Sequence, residues 1–205
     1  KEILFFYVYS SYECSAKSAF LPKSRLQVYF LESEDQFGDL NNLLFKAKNG
    51  RYLTDNDIRF AFYSLATIKM LPNLFWFPNV IICNGWTSAL VPFLLKKLAK
   101  SDKDLSKIKT IYLANSLNED IIFDTNNLPF NSETLDELKA LNLNEIGCAN
   151  ADATIVIDDT EKVSVKIMKT KIFKDSKNCS SIDLSKSEGD SSELLNEIEK
   201  VIKNI

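Results

Sequence analysis

The chain has 205 residues, a formal net charge of −3, a hydrophobic fraction of 45% and no histidine. A chain of this length can bury a core without disulfides or metals, and its balanced charge gives no electrostatic reason to expect nucleic acid or an anionic membrane as a partner. The absence of histidine removes the side chain that most often transfers protons near neutral pH, which lowers the expectation of catalysis.

The cysteines argue against a metal or redox site. Cys14, Cys83, Cys148 and Cys179 are widely spaced, and no two form the Cys-x-x-Cys pair typical of zinc or redox motifs. Only five glycines occur, so a phosphate-binding glycine loop is not expected. We therefore expect neither a metal nor a cofactor. The cysteine pattern and the lack of a membrane-spanning apolar run indicate a cytoplasmic, reducing setting.

Strands and one long helix are predicted in the first half of the chain. A near-continuous apolar run predicts a central strand buried on both faces, and Asp55 before an amphipathic stretch predicts a helix that Pro72 ends. The predicted elements are a strand at residues 2–9, an irregular serine-rich stretch at 10–24, a strand at 25–31, a helix at 55–71, a strand at 80–83 and a helix at 87–100.

The second half continues the alternation of strands and helices. The predicted elements are a strand at residues 109–114, a helix at 132–141, a strand at 153–157, a helix at 160–168 and a helix at 192–202. This order predicts an α/β fold with a doubly wound, Rossmann-like parallel sheet. We expect one domain over residues 1–173, a polar linker over 174–191 and a C-terminal helix over 192–205 that packs back on the domain.

Four segments occur in the order found in a known enzyme family. The most specific covers residues 50–60 and combines Tyr52, Asp55, Asn56, Arg59 and Phe60. The others cover residues 28–37, 78–92 and 147–156. Together they resemble the N-terminal catalytic domain of bacterial glycogen and starch synthases, specifically the short free-standing homologues of Bacteroidetes-type bacteria. The resemblance implies the N-terminal half of a GT-B glycosyltransferase and, in that family, α-1,4-glucan extension from ADP-glucose.

The chain departs from this family where the family's chemistry lies. Ile82 and Asn84 stand at the two histidine positions of the family's His-x-His-Asp-Trp segment, and Gly85 stands at the aspartate position. Residues 9–14 replace the family's glycine-rich donor loop, and no segment resembles its C-terminal nucleotide-binding domain. We assign no catalytic residue, and these departures predict a non-catalytic interaction or scaffold protein.

Two functions stay open as alternatives to this prediction. The first is one half of an ADP-glucose-dependent glucan synthase that acts with a separate domain. The second is a carbohydrate- or nucleotide-binding module. For ligand binding we single out Asn84, Gly85 and Trp86, because ligands of open α/β sheets lie at the carboxyl ends of strands. Trp86 would then stack on a sugar ring, and its alternative role is core packing under the following helix.

A protein is the expected partner. Phe75, Trp76 and Phe77 are three consecutive aromatic residues, and a single loop cannot direct all three side chains into the core. Aromatic residues are enriched among the side chains that anchor protein interfaces. Core packing is the alternative for these residues. A sugar nucleotide or glucan is a secondary candidate, whereas nucleic acid and membrane are not expected. We interpret Asp55 and Arg59 as structural, with Asp55 capping the helix and pairing with Arg59 at i, i+4.

Overall fold

The computed structural model describes residues 2–6, 11–38, 44–116, 142–159, 162–175, 178–185 and 190–205. These residues fall into two compact units, with the boundary between Trp76 and Phe77. The predicted helix at residues 132–141 lies outside the described residues. Among the described helices, none is long and apolar enough to cross a membrane.

The first unit contains a three-stranded antiparallel sheet. Its strands are β1 (Glu2–Phe6), β2 (Ser11–Phe20) and β3 (Gln27–Glu32), in the spatial order β1-β2-β3. The predictions that residues 10–24 are irregular and that the first strands join the parallel sheet were therefore wrong. The connection after β1 is too short for a parallel crossover, which needs a dozen or more residues. Strand β2 alternates between buried residues, such as Cys14 and Ala16, and exposed residues, such as Lys17. Its serines make this alternation of apolar and polar residues hard to recognise in the sequence.

Among its described residues, the first unit also contains the helices α1 (Glu34–Phe37) and α2 (Asn56–Leu74). The apolar face of α2 packs Phe62, Ala66 and Met70 against the buried side of β2. Asp55 is the N-cap residue, as predicted, but Pro72 does not end the helix. It lies in the last turn, and the helix ends two residues later at Leu74, before the C-cap residue Phe75, whose backbone adopts the left-handed conformation with φ 53°.

The second unit is built on a parallel sheet, which confirms the predicted α/β class. Its strands are β4 (Val80–Asn84), β5 (Lys109–Ala114), β6 (Ala153–Asp158) and β7 (Cys179–Asp183), in the spatial order β4-β5-β6-β7. Its helices are α3 (Leu90–Leu98), α4 (Leu143–Asn150), α5 (Val163–Ile167), α6 (Lys171–Asp175) and α7 (Ser192–Ile202). Strand β7 lies inside the predicted polar linker, a correction that reflects its serine-rich, half-exposed sequence.

Helices cover both faces of the parallel sheet. Ile111 and Ile155 pack on one face with Val201 of α7. Because side chains alternate along a strand, Tyr112 lies on the other face, where its hydroxyl donates a 2.7 Å hydrogen bond to Asn144 of α4. Close packing on this face requires Gly147, since a Cβ there would lie 2.7 Å from the Tyr112 ring.

Candidate functional site

The turn after β4 is the candidate site, and its backbone is closed by hydrogen bonds. Gly85 adopts φ 71° and ψ 177°, a region that is essentially restricted to glycine. Its N–H donates to the carbonyl of Leu113 at 2.9 Å, and a Cβ at this position would lie 3.0 Å from Oδ1 of Asn115. The N–H and Oγ of Ser88 both donate to the Gly85 carbonyl. The turn therefore depends on glycine for its path and for its contact with β5.

Trp86 points into the protein and not into solvent. It opens a 3-10 turn over Trp86–Ser88 that leads into α3, and its side chain is only 5% exposed. A ring that stacks on a sugar must present a face to solvent, so the burial favours the core-packing interpretation of this residue. Ligand binding by the turn as a whole stays a prediction.

Two exposed amide side chains meet at the carboxyl end of the sheet. Asn84 ends β4, Asn115 directly follows β5, and Nδ2 of Asn115 donates a 2.8 Å hydrogen bond to Oδ1 of Asn84. The carboxyl ends of parallel strands are where open α/β sheets bind ligands. Carboxamides donate and accept hydrogen bonds but do not exchange protons near neutral pH. This pair can bind hydroxyl or phosphate oxygens, but it cannot act as a general acid or base.

The carboxylates at the same edge of the sheet already have partners. Asp158 at the end of β6 accepts hydrogen bonds from the N–H and Oγ of Ser164, at 2.8 and 2.6 Å. Asp183 at the end of β7 pairs with Lys162 at 2.9 Å. Hydrogen bonds from Ser185 and Lys162 hold the pKa of Asp183 below its ordinary value. Both carboxylates therefore stabilise local structure.

The cysteine beside the turn is not a nucleophile, and the part of the chain that the structure describes offers no metal site. Cys83 precedes Asn84 and is 2% exposed, and burial raises the pKa of its thiol to about 12. It is therefore protonated at neutral pH, whereas the nucleophilic form is the thiolate. Among the described residues, no group of histidine, cysteine, aspartate or glutamate side chains is arranged to hold a metal ion.

Comparisons with known proteins identify the family. The family model for the starch synthase catalytic domain matches residues 3–168. The chain belongs to the starch synthase catalytic domain family. It is 32% identical to the glycogen synthase of Pelodictyon phaeoclathratiforme over 50% of this chain and 21% of that protein. It is 38% identical to the glycogen synthase of Vibrio parahaemolyticus over 41% of this chain and 17% of that protein.

A solved structure supports the same fold. The catalytic domain of Starch Synthase IV from Arabidopsis thaliana, bound to ADP and acarbose, aligns with a TM-score of 0.51 and 14% identity. The alignment covers 78% of this chain and 33% of the Arabidopsis chain. This chain spans only about a fifth of the length of the curated glycogen synthases it matches. The more specific resemblance to free-standing Bacteroidetes-type homologues stays a prediction.

The best-matched starch synthase segment forms a structural cluster around Arg59. This side chain is 2% exposed, and its two terminal nitrogens donate to the carbonyl of Leu44, to Asn56 and to Asp55. Asn56 in turn donates to the carbonyl of Phe45 at 2.9 Å. The predicted Asp55–Arg59 pair is present at 3.1 Å, but the Asp55 side chain does not cap the helix. The cluster attaches the preceding loop to the first turn of α2.

The three consecutive aromatic residues are all exposed in part. In the first unit, Phe75 is 89% exposed and Trp76 is 50% exposed, with the Trp76 ring stacked on Tyr29 at a centroid distance of 6.3 Å. In the second unit, Phe77 is 36% exposed. Partial exposure leaves these side chains available for a contact, but the predicted protein contact itself is not tested by the fold.

Sequence reasoning missed several residues that shape the site. Asp158 and Asp183 lie at strand ends, which is a signal, but neither was singled out. Asn144 is a buried amide that accepts from Tyr112 and donates to the carbonyl of Ser116. It lies in α4, whose start was visible as a capping box between Asn142 and Glu145.

Proposed function

We propose that this chain is a glycogen synthase-like domain that acts by binding another protein and does not transfer glucose with its own side chains. The observation that carries the proposal is the turn after β4. Asn84 and Gly85 stand there at positions where the resemblance places a histidine and an aspartate. Neither residue supplies the proton transfer that a general acid or base provides.

The backbone of the turn extends this argument beyond the missing side chains. Because Gly85 occupies a conformation that other residues adopt only with strain, an aspartate at this position would require a different path for the chain. Its Cβ would also approach Oδ1 of Asn115 to 3.0 Å. Replacing Asn84 and Gly85 with the family residues is therefore expected not to rebuild the family's site.

A transfer assay tests the first half of the proposal. The purified chain is incubated with labelled ADP-glucose and glycogen, beside the double variant Asn84→His, Gly85→Asp and a full-length bacterial glycogen synthase as positive control. We expect no incorporation above a heat-denatured control for the chain or for its variant. Incorporation by the native chain would contradict the proposal.

A pull-down tests the second half. The tagged chain is purified from its native host, and co-purifying proteins are identified and quantified by mass spectrometry. We expect a stoichiometric partner whose yield falls when exposed Phe75 and Trp76 are changed to serine, and not when Leu195, an exposed leucine of α7, is changed to serine. If the chain emerges alone in repeated purifications, binding to another protein is not its function.

The exposed amide pair supports a second candidate, a module that binds a sugar or nucleotide. Asn84 and Asn115 lie at the edge of the sheet where ligands of this fold class bind, and the Arabidopsis relative is described as bound to ADP and acarbose. Calorimetry with ADP and with acarbose tests this candidate. Heat of binding that Asn84→Ala and Asn115→Ala abolish would favour it, and the absence of binding to the wild-type chain would exclude it.

The identity of the protein recovered in the pull-down tests the third candidate, in which the chain is an active half of a glycosyltransferase. If the stoichiometric partner is itself a nucleotide-sugar-binding domain, the transfer assay is repeated with both proteins present. Glucose incorporation by the mixture would establish a split enzyme. A partner of any other kind, or no incorporation by the mixture, would leave the non-catalytic proposal standing.

A further inference from the structure

The hairpin of β2 and β3 concentrates positive charge in a chain whose net charge is negative. Residues 11–32 contain three basic side chains, Lys17, Lys23 and Arg25, and two acidic ones, Glu13 and Glu32 at the ends of the strands away from the turn, so the hairpin has a net charge of +1, whereas the whole chain has a net charge of −3. The negative net charge of the whole chain therefore conceals a hairpin whose own net charge is positive. Because electrostatic attraction to a surface depends on local charge within about 10 Å at moderate salt, the local value decides what this hairpin can bind.

The tip of the same hairpin, residues 20–26, exposes large apolar side chains. Phe20 is 65% exposed, Leu26 is 66% exposed and Leu21 is 46% exposed. Every residue from position 17 to position 27 is exposed. Lys23 and Arg25 lie between the apolar residues of this tip. Apolar and cationic side chains are thus interleaved on one protruding turn.

Backbone hydrogen bonds hold the tip in one conformation. The N–H of Leu21 donates to the carbonyl of Leu26 at 2.9 Å, and the N–H of Ser24 donates to the carbonyl of Leu21 at 3.1 Å. The N–H of Leu26 donates to Oγ of Ser24 at 3.0 Å. The turn is therefore ordered before it binds anything, which reduces the entropy that binding would cost.

We propose that this tip inserts into the surface of an anionic lipid bilayer, a role independent of the proposed protein-binding function. Apolar side chains flanked by cations are the composition that binds at such an interface, where apolar burial and attraction to anionic headgroups add. Every residue from Lys17 to Gln27 is exposed. A fluid bilayer can surround side chains that are exposed on every side of a turn, whereas a protein partner would need a matching groove.

The two cations of the tip are the ones that reach the headgroups. Lys17 already pairs with Glu32 at 2.7 Å. Within the described part of the chain, neither Lys23 nor Arg25 lies at ion-pair distance from a carboxylate. Each basic residue near an anionic membrane surface strengthens binding by roughly fivefold, so this pair supplies roughly 25-fold together.

Co-sedimentation with lipid vesicles tests the proposal. The full chain is mixed with vesicles of phosphatidylcholine and phosphatidylglycerol, or with vesicles of phosphatidylcholine alone, at low and at high salt. We expect binding to the anionic vesicles that weakens with salt. The double variant Lys23→Gln, Arg25→Gln should lower the partition coefficient roughly 25-fold. The double variant Phe20→Ser, Leu26→Ser should lower it by at least about tenfold.

Matched controls carry the same changes elsewhere. Lys100→Gln, Lys103→Gln removes two exposed lysines from the second unit, and Leu195→Ser removes an exposed leucine from α7. Both should bind anionic vesicles within roughly twofold of the wild-type chain, because these residues lie outside the tip. Circular dichroism and urea unfolding check that every variant keeps the fold of the wild-type chain.

Four outcomes of the vesicle experiment would overturn the proposal. They are no binding to anionic vesicles, equal binding to neutral vesicles, binding that the tip variants leave unchanged, and binding that the controls weaken as much as the tip variants. Self-association in the absence of lipid, measured by light scattering and abolished by Phe20→Ser, Leu26→Ser, would also overturn it, since the tip would then bind a second copy of the chain.

Discussion

The cluster around Arg59 and the turn after β4 both lie in segments that match the family pattern, yet they differ in what they retain. At the cluster, the polar residues of the pattern are present and join a loop to a helix through a buried guanidinium. At the turn, the strand and helix are present, and Asn84 and Gly85 between them carry no ionisable side chain. The cluster holds the backbone with a buried charge, whereas the turn holds its backbone through a glycine conformation and uncharged amides.

Removing the guanidinium should give the largest effect. Arg59→Ala leaves the carbonyl of Leu44 and Oδ1 of Asn56 without their donor in a buried setting. We expect the free energy of unfolding to fall by about 3 kcal/mol, as measured by urea denaturation. Arg51→Ala, an exposed arginine in the same segment, is the control and should change stability by less than about 0.5 kcal/mol. A loss at Arg59 as small as the control would refute a structural role for the cluster.

Gly147 tests whether a second matched segment also serves packing. Alanine in a helix interior normally stabilises a protein by up to about 1 kcal/mol relative to glycine. Here a Cβ would meet the Tyr112 ring at 2.7 Å, so we expect Gly147→Ala to destabilise by about 2 kcal/mol in the same assay. Ala149→Ser on the exposed side of α4 is the matched control. A stabilising Gly147→Ala would show that the contact with Tyr112 is not tight.

Gly85 tests whether the backbone of the turn requires glycine. Gly85→Ala should cost about 1.5 kcal/mol, because alanine would occupy a backbone region reserved for glycine and would crowd Asn115. Asn84→Ala removes one exposed hydrogen bond and should cost less than about 0.5 kcal/mol. Equal effects of the two substitutions in urea denaturation would mean that the backbone of the turn is not strained for other residues.

The buried thiols affect stability only at alkaline pH, and the sign of that effect is fixed by their pKa values. Burial raises the pKa of Cys83 and of Cys148 to about 12, above the ordinary value of 9.0. Their contribution to stability is present below pH 9 and is lost as pH rises from about 9 toward about 12, because only the unfolded state releases these protons. Each thiol should lower the free energy of unfolding by about 1 kcal/mol per pH unit above its unfolded pKa.

Urea titrations between pH 8 and pH 10 would detect this loss. Cys83→Ala should show a shallower decline than the wild-type chain, whatever its stability at pH 8, because one of the responding thiols is gone. Cys179→Ala serves as the comparison, since Cys179 is only partly buried. A decline that is identical in all three proteins would show that the buried thiols do not control the alkaline response.

The parallel sheet could be predicted from the sequence because its strands are apolar and lie between clear helices. The predicted bounds of β5 and of α7 agree with the structure, and those of β4 and β6 are each one residue short. The antiparallel sheet could not be predicted in this way. Its central strand β2 buries small residues such as Cys14 and Ala16 and is rich in serine, so its period-2 pattern is weak although it pairs with its neighbours in sequence.

The position of the turn after β4 could be predicted from the sequence, but the contacts of its side chains could not. The turn after β4 follows from a strand–turn–helix pattern, and ligand sites favour that position. The hydrogen bond between Asn84 and Asn115 joins residues 31 positions apart, so no local pattern reveals it. The burial of Trp86 likewise depends on tertiary packing, and the sequence alone left both of its roles open.

The order of strands in both sheets follows the order of the chain, β1-β2-β3 in one and β4-β5-β6-β7 in the other. Each strand therefore pairs first with a strand that a ribosome has already made, and no described strand must insert between two that are already paired. Both sheets can grow at one edge during synthesis. An interrupted chain would present an incomplete sheet with a free β5 or β6 edge, a surface prone to pairing with other chains.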